Sequence, residues 1–175
     1  PKRAFGSGYH ATTRLLLEWL LERVRGGERI LDVGTGSAIL AMAALRLGAA
    51  FAFGIDNDPV AIECALENAA MNGFGSELEL RVAALEDLEP LTFDLIVANL
   101  DRKAHLRLAQ SFGRFLKSGG SALLSGLQPD DCQDVSSALA AAGLRVEERR
   151  DREEWLALEV KNRGRPSCFP VFLPF

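Results

Sequence analysis

Short apolar runs alternate along this chain with stretches in which apolar residues recur every three or four positions. The first helical stretch begins at Ala11-Thr12-Thr13-Arg14, with Leu16, Trp19, Leu20 and Val24 on its apolar face and Gly26-Gly27 at its end. Ile30, Leu31 and Val33 then form a buried strand. Ile39, Met42, Ala43 and Leu45 resume the helical period, which Gly48 closes. A second strand runs from Phe51 to Asp56. Asp58-Pro59, a capping carboxylate followed by a proline at the first turn, opens a helix through Asn72 that Gly73 and Gly75 end. Glu77 to Val82 alternates polar and apolar and predicts a third strand, Ala83 to Leu91 a connector, and Phe93 to Asn99 a fourth strand. Leu106, Ala109, Phe112, Phe115 and Leu116 mark a helix stopped by Gly119-Gly120. Ser121 to Ser125 follows as a strand, Asp130 to Ala142 as a helix closed by Gly143, and Leu144 to Arg150 with Trp155 to Val160 as a hairpin-like pair.

Strands alternating with helices predict an α/β fold: a doubly wound, Rossmann-like, seven-stranded, mostly parallel sheet with an antiparallel C-terminal strand pair. Such sheets bind ligands beyond the carboxyl ends of their strands, where the strand order reverses. Gly34, Asp56 and Asn99 each stand at such an end.

The stretch Asp32-Val33-Gly34-Thr35-Gly36-Ser37 reads as a strand end, a tight glycine turn and a helix start, with Ser37 as the expected N-cap. Asp56 follows Gly34 by 22 residues. An acidic residue about 20 residues past a glycine loop is placed to accept both hydroxyls of a ribose. A dinucleotide fingerprint needs a third glycine where Ile39 stands, and no P-loop lysine follows. A ligand with a ribose but no pyrophosphate fits this loop, and S-adenosylmethionine is such a ligand.

Composition narrows the function further. The 175 residues are 48% apolar and 25% charged with a net charge of −4, ordinary for a globular domain and without the basic excess of a nucleic-acid binder. Cys64, Cys132 and Cys168 are far apart and match no metal spacing, so reduced thiols and no metal are expected. No stretch reads as a signal peptide or a membrane span, which predicts a cytoplasmic protein with no membrane partner. The chain begins at Pro1 rather than methionine, so residues upstream are expected.

The segments Ala4-Phe5-Gly6-Ser7-Gly8-Tyr9-His10-Ala11-Thr12-Thr13, Leu31-Asp32-Val33-Gly34-Thr35-Gly36, Gly54-Ile55-Asp56-Asn57-Asp58-Pro59, Asp94-Leu95-Ile96-Val97-Ala98-Asn99-Leu100, Leu124-Ser125-Gly126 and Glu154-Trp155 carry a resemblance. Over about residues 4 to 161 the chain resembles class I S-adenosylmethionine-dependent methyltransferases. More narrowly, it resembles the ribosomal protein lysine methyltransferases (PrmA), which modify the eleventh large-subunit ribosomal protein. The resemblance implies a methyltransferase domain over 1–162, with 1–13 as cofactor lid and helix start and 163–175 as a tail. It implies N-methylation of a protein amine, a lysine or an N-terminal amine, with S-adenosylmethionine as cofactor and a protein, in the family a ribosomal protein, as partner. It gives Thr13, Gly34, Gly36, Asp56 and Asn99 to the cofactor and makes Asn99 the catalytic position beside the methyl group and the amine. Phe5, Gly8 and His10 would belong to the lid.

The chain departs from the family pattern at several places. Ser7 and Ala11 replace a threonine and a proline. Ala38 replaces the third glycine of the loop, which is tolerated if its φ is negative. Asp101-Arg102-Lys103-Ala104-His105 replaces small apolar residues after Asn99, so the substrate rim differs. The family's N-terminal recognition domain has no matching stretch, so the chain is read as a catalytic domain or as a shorter relative.

Each candidate also has an ordinary structural role open to it. Thr12 or Thr13 would cap the first helix, Asp56 would cap the helix after it although Asp58 is better placed, and Asn99 would be a turn residue. Asp32 orders the glycine loop, His10 hydrogen-bonds to backbone, and His105, Trp19 and Trp155 pack. The alternatives to protein methylation are a small-molecule methyltransferase and a non-catalytic S-adenosylmethionine-binding module. Base-amine enzymes of the superfamily carry N-P-P-[YF]; here Leu100-Asp101 follows Asn99.

Overall fold

A computed structural model describes residues 10–89 and 91–162. The lid segment before His10 and the tail after Asn162 lie outside these residues. Helix α1 (Ala11–Arg23) precedes strand β1 (Arg29–Val33), α2 (Ile39–Arg46), β2 (Phe51–Asp56), α3 (Pro59–Met71), β3 (Leu78–Val82), β4 (Phe93–Asn99) and α4 (Arg102–Phe115). Strand β5 (Leu116–Leu127), α5 (Cys132–Ala141), β6 (Leu144–Arg152) and β7 (Trp155–Asn162) follow. The seven strands form one sheet in the order β3-β2-β1-β4-β5-β7-β6. β1 pairs in parallel with β2 and β4, β2 with β3, and β4 with β5, while β7 runs antiparallel to both β5 and β6.

Both faces of the sheet are covered, which is why its central strands read as apolar runs rather than as alternation. Leu31, Val33, Phe53, Ile55, Ile96, Ala98 and Leu124 point into a core closed by Phe112 and Phe115 of α4 and Val135 and Leu139 of α5. Ile30, Ala52, Val97 and Leu123 point to the other face, against Leu16, Trp19 and Leu20 of α1 and Leu40, Ala41 and Ala44 of α2. Among the described residues no helix is long and apolar enough to cross a membrane.

The sheet's register sets the site. Val33 stands opposite Ile55 and Ala98, and Asn99 opposite Ser125, so the carboxyl ends of β1, β2, β4 and β5 share one edge. Because β7 is antiparallel, its first residues reach the same edge: Leu156 pairs with Leu127 at the end of β5. Trp155 is thereby carried to the edge where β1, β2, β4 and β5 end.

Helix α1 is fastened to the antiparallel strands by charge. The Arg23 guanidinium donates to both carboxylate oxygens of Glu159, Nε to Oε1 at 2.8 Å and NH2 to Oε2 at 2.7 Å, and also to Glu148 at 2.9 Å. Glu159 is buried in β7, so this bidentate pair is a fixed, charge-assisted contact rather than a solvated surface bridge. Arg150 lies 4.8 Å over the Trp19 ring and donates to Glu22, and Arg152 donates to Glu18. The helix that begins beside the site is held along its length.

Several local expectations are corrected. α1 is capped by His10, whose ring Nδ1 accepts from Thr12 N at 3.4 Å, while Thr12 and Thr13 lie inside the helix with their side chains buried. The N-cap of α2 is Ala38, not Ser37. Ala38 has a φ of +63°, so the condition under which a methyl replaces the family's glycine without strain is not met. The conformation costs a non-glycine residue roughly 1–2 kcal/mol. It persists because the turn is fixed on both sides: Ala38 N donates to Thr35 O and Met42 N donates to Ala38 O, both at 2.9 Å. Helix α4 starts earlier than the apolar period suggests because the Asp101 carboxylate accepts from Ala104 N at 2.8 Å and caps it. Helix α4 ends at Phe115, not at Gly119-Gly120: Leu116 already opens β5 and pairs with Phe93, and the two glycines lie inside that strand, where the register shifts before the main ladder.

Candidate active site

At the end of β1 the backbone folds over the end of β2: the amides of Gly34 and Thr35 both donate to Ile55 O at 2.9 Å. Gly34 has a φ of +70°, a conformation that favours glycine, and a Cβ there would stand 2.5 Å from Leu100 Cδ2, so that side chain would have to turn aside. Gly36 N donates to Asp56 Oδ2 at 3.1 Å, and Asp58 N donates to Asp56 Oδ1 at 3.0 Å. Each carboxylate oxygen of Asp56 thus receives one backbone hydrogen bond, and the group is aimed by the glycine turn. A carboxylate offers about four acceptor positions, so both oxygens retain capacity for a ligand's hydroxyls. The cap of α3 is Asp58, which accepts from Val60 N at 2.9 Å and leaves Asp56 to the cleft.

Beneath this turn Asp32 is buried. Its Oδ2 accepts from Thr35 Oγ1 at 2.7 Å and from Ala41 N at 3.2 Å, tying β1, the loop and α2 together as expected. Its Oδ1 has no partner among the described residues. Burial pushes its pKa up to about 6, opposed by the Thr35 and Ala41 hydrogen bonds and reinforced by the negative charge of Asp56.

Asp56 opens onto a cleft of about 500 Å³, measured to its open mouth. Its walls are apolar, from Ile55, Ala84, Leu85 and Leu108, and Glu86 and Arg107 meet in an ion pair of 3.0 Å at its rim. A second cavity lies on the other side of Leu100, lined by His10, Thr12, Asn99, Asp101, Gly126 and Trp155. Leu100 is the one residue common to the two linings.

Asn99 is fixed by α1. Its Nδ2 donates to Thr12 Oγ1 at 3.0 Å and to Thr13 Oγ1 at 3.2 Å. Thr12 Oγ1 also lies 2.8 Å from His10 Nδ1. Because Nδ1 accepts the Thr12 backbone amide, it is the lone-pair nitrogen, and the Thr12 hydroxyl donates its proton to it. The Thr12 oxygen is then an acceptor, which assigns the amide nitrogen of Asn99 to the threonines, and Asn99 lines the second cavity. The His10 and Trp155 rings meet edge to face, with centroids 5.1 Å apart and planes at 64°.

The backbone after Asn99 is equally constrained. Leu100 N donates to Ser125 O at 3.0 Å, and the ring of buried His105 makes a 2.9 Å contact to the same carbonyl. Burial lowers the His105 pKa, against the hydrogen bond to Ser125 O, and the ring packs and donates from Nε2 to that carbonyl. Gly126 has a φ of +86° and lies against the Leu100 main chain.

The structure therefore brings Gly34, Gly36 and Asp56 together at one side of Leu100, and Thr13 and Asn99 together at the other. Gly36 and Thr13 line neither of these two cavities; each acts through a hydrogen bond to Asp56 or Asn99. Thr12, Leu100 and Trp155 were given no site role from sequence. Thr12 carries the same sequence signal as Thr13, a hydroxyl at the helix start, and Trp155 reaches the site only because β7 is inserted antiparallel beside β5. Phe5 and Gly8 lie outside the described residues.

Residues 1–163 match the family model described as ribosomal protein L11 methyltransferase (PrmA). The chain is 43% identical over 159 residues to a ribosomal protein L11 methyltransferase of Thermus thermophilus, covering 90% of this chain and 61% of that protein. It is 42% identical over 158 residues to one of Symbiobacterium thermophilum, covering 90% and 51%. The chain spans about half the length of the curated relatives it matches. The crystal structure of a ribosomal protein L11 methylase from Lactobacillus delbrueckii subsp. bulgaricus superposes with a TM-score of 0.84 at 30% identity, over 90% of this chain and 81% of that one. The chain belongs to the PrmA family of ribosomal protein L11 methyltransferases.

Proposed function

We propose that this chain transfers a methyl group from S-adenosylmethionine to an amine of a protein, a ribosomal protein in the first instance. The observation that carries this reading is the fixed Asn99 amide: its nitrogen is held by Thr12 and Thr13, and Asn99 lines a cavity one residue away from the cleft that Asp56 enters.

The residues present fit the cofactor. Asp56 retains acceptor capacity on both oxygens for the ribose hydroxyls, and the apolar cleft beyond it suits an adenine ring. Gly34 has no Cβ to keep a ligand off the loop backbone, and the unpartnered Oδ1 of Asp32 is an acceptor beneath that loop for an ammonium or a water. The cofactor supplies an electrophilic methyl group on a sulfonium, so the protein's task is to position the acceptor.

The acceptor amine has a free pKa of ~10.4 and must present a lone pair. Asn99 accepts one N–H through its side-chain carbonyl and aims the nitrogen. Leu100 is the apolar wall beside Asn99, and burial of the nitrogen against it disfavours the charged form, so the amine gives up its proton to solvent before transfer. His10 spends Nδ1 on Thr12, so its part here is to orient Thr12 and, through it, Asn99.

The test is incubation with methyl-labelled S-adenosylmethionine and purified ribosomal protein L11. Label stable to hydroxylamine on a lysine or N-terminal nitrogen is the expected result. Cofactor binding without label on any protein amine would overturn the reading in favour of a binding module.

A further inference from the structure

We infer that Asp101 is the docking carboxylate for the acceptor's ammonium, and that it sets the preference of the second cavity for a cationic side chain. The inference rests on the methyltransferase reading and adds a specificity-determining residue to it.

Asp101 stands two residues beyond Asn99, at the rim of the cavity that Asn99 and Trp155 line. It is exposed, and among the described residues it is the only carboxylate in that lining. Its Oδ1 accepts from Ala104 N as the cap of α4, which fixes the side chain, and no second hydrogen bond or ion pair to it is found among the described residues. Of the two cations that follow it, Arg102 turns away to Asp134 and to Asp131, the latter at 3.6 Å, and no ion pair between Lys103 and Asp101 is found among the described residues. The wall is the Trp155 ring, held edge to face against His10, and an indole is the preferred aromatic partner of a cation.

The cavity therefore has a graded lining. Its rim carries a fixed negative charge and an aromatic wall, which suit an alkylammonium. Of its other polar groups, His10 Nδ1 and Thr12 Oγ1 bind one another, and the neutral Asn99 carbonyl suits the amine once the proton has left. A thin, flexible stem with a terminal ammonium matches both levels. A hydroxyl or thiol acceptor gains nothing from the rim.

Asn is as good an N-cap as Asp. Asp101→Asn therefore removes the charge and keeps the start of α4. With N-acetyl-lysine methylamide as acceptor, the expected result is a rise in KM of about five- to tenfold, as for a partly solvated ion pair with an aromatic wall, with kcat within about twofold. Added salt should raise the wild-type KM and barely move that of the variant. The uncharged analogue N-acetyl-norleucine methylamide should compete weakly with the wild type, and the variant should bind the two amides alike. An unchanged KM in a variant that still methylates the lysine amide would overturn the docking role and leave the methyltransferase reading standing. If no amine is methylated, affinities for the two amides are read from the Trp155 indole resonance. A preference for the charged amide that Asp101→Asn abolishes would keep the docking role and sink the methyltransferase reading, whereas equal wild-type affinities would overturn the docking role.

Discussion

Asn99→Ala is expected to lower kcat for methyl transfer by about 100-fold, the loss typical when a reacting group is displaced by about 1 Å from its productive position. Two effects combine. The carbonyl that aims the amine disappears, and the Thr12 and Thr13 hydroxyls, both buried, lose the donor that paired them. Affinity for S-adenosylmethionine should change little by comparison, because Asp56 and the glycine turn sit on the other side of Leu100. Asn99→Asp discriminates further. A carboxylate only accepts, so the Thr12 hydroxyl must choose between it and His10 Nδ1, and the arrangement that fixes the side chain is broken. Steady-state kinetics with saturating cofactor separates these outcomes. A kcat within about twofold of the wild type for Asn99→Ala would show that orientation by this amide is not part of catalysis, since mutant kinetics read the lost transition-state interaction directly.

The largest stability effect is expected at Gly126. A Cβ there would lie 2.3 Å from Leu100 O and 2.8 Å from Leu100 C, and both neighbours are backbone that no rotamer change can clear. The φ of +86° adds strain of its own. Strain of roughly 1–2 kcal/mol and overpacking of roughly 1–3 kcal/mol together predict a destabilisation of about 2–5 kcal/mol for Gly126→Ala. For a domain of this size that corresponds to a fall in Tm of ~5–20 °C. Gly73→Ala is the matched control: its φ is +71° but nothing stands within 4 Å of the added methyl, so it isolates the conformational part. Thermal unfolding of both variants should show Gly126→Ala as the much weaker protein. Equal losses would mean that the Leu100 turn moves aside freely, which is incompatible with the two hydrogen bonds that Ser125 O receives from Leu100 N and His105.

The centre of the sheet was legible because β1, β2, β4 and β5 are buried on both faces and a helix with an apolar period follows each of them. The ends of β1, β2 and β4 were legible for the same reason: Gly34, Asp56 and Asn99 close apolar runs. The caps were harder to read. His10 and Ala38 cap helices where Thr12, Thr13 and Ser37 had the stronger preference, because buried tertiary partners outrank local capping chemistry: Asn99 takes both threonine hydroxyls, and the turn that aims Gly36 at Asp56 forces Ala38 to positive φ. The second cavity was hidden in a different way. It joins the start of α1, the turn after β4 and the first residue of β7, segments more than 50 residues apart in sequence and united only by the antiparallel insertion of β7. The roles of Leu100 and Gly126 are visible only as distances between backbones.

Calorimetric titration of S-adenosylmethionine into the wild type and into Asp56→Ala decides whether Asp56 holds the ribose. Micromolar binding to the wild type, about −8 kcal/mol, is predicted. The variant should lose about 1.5–3 kcal/mol, the range for hydrogen bonds to a charged group, which is a weakening of roughly 10- to 150-fold. Equal affinities in the two proteins would contradict the placement of the ribose on Asp56. No binding to the wild type would contradict the claim that the edge formed by Gly34, Asp56 and Asn99 is a cofactor site.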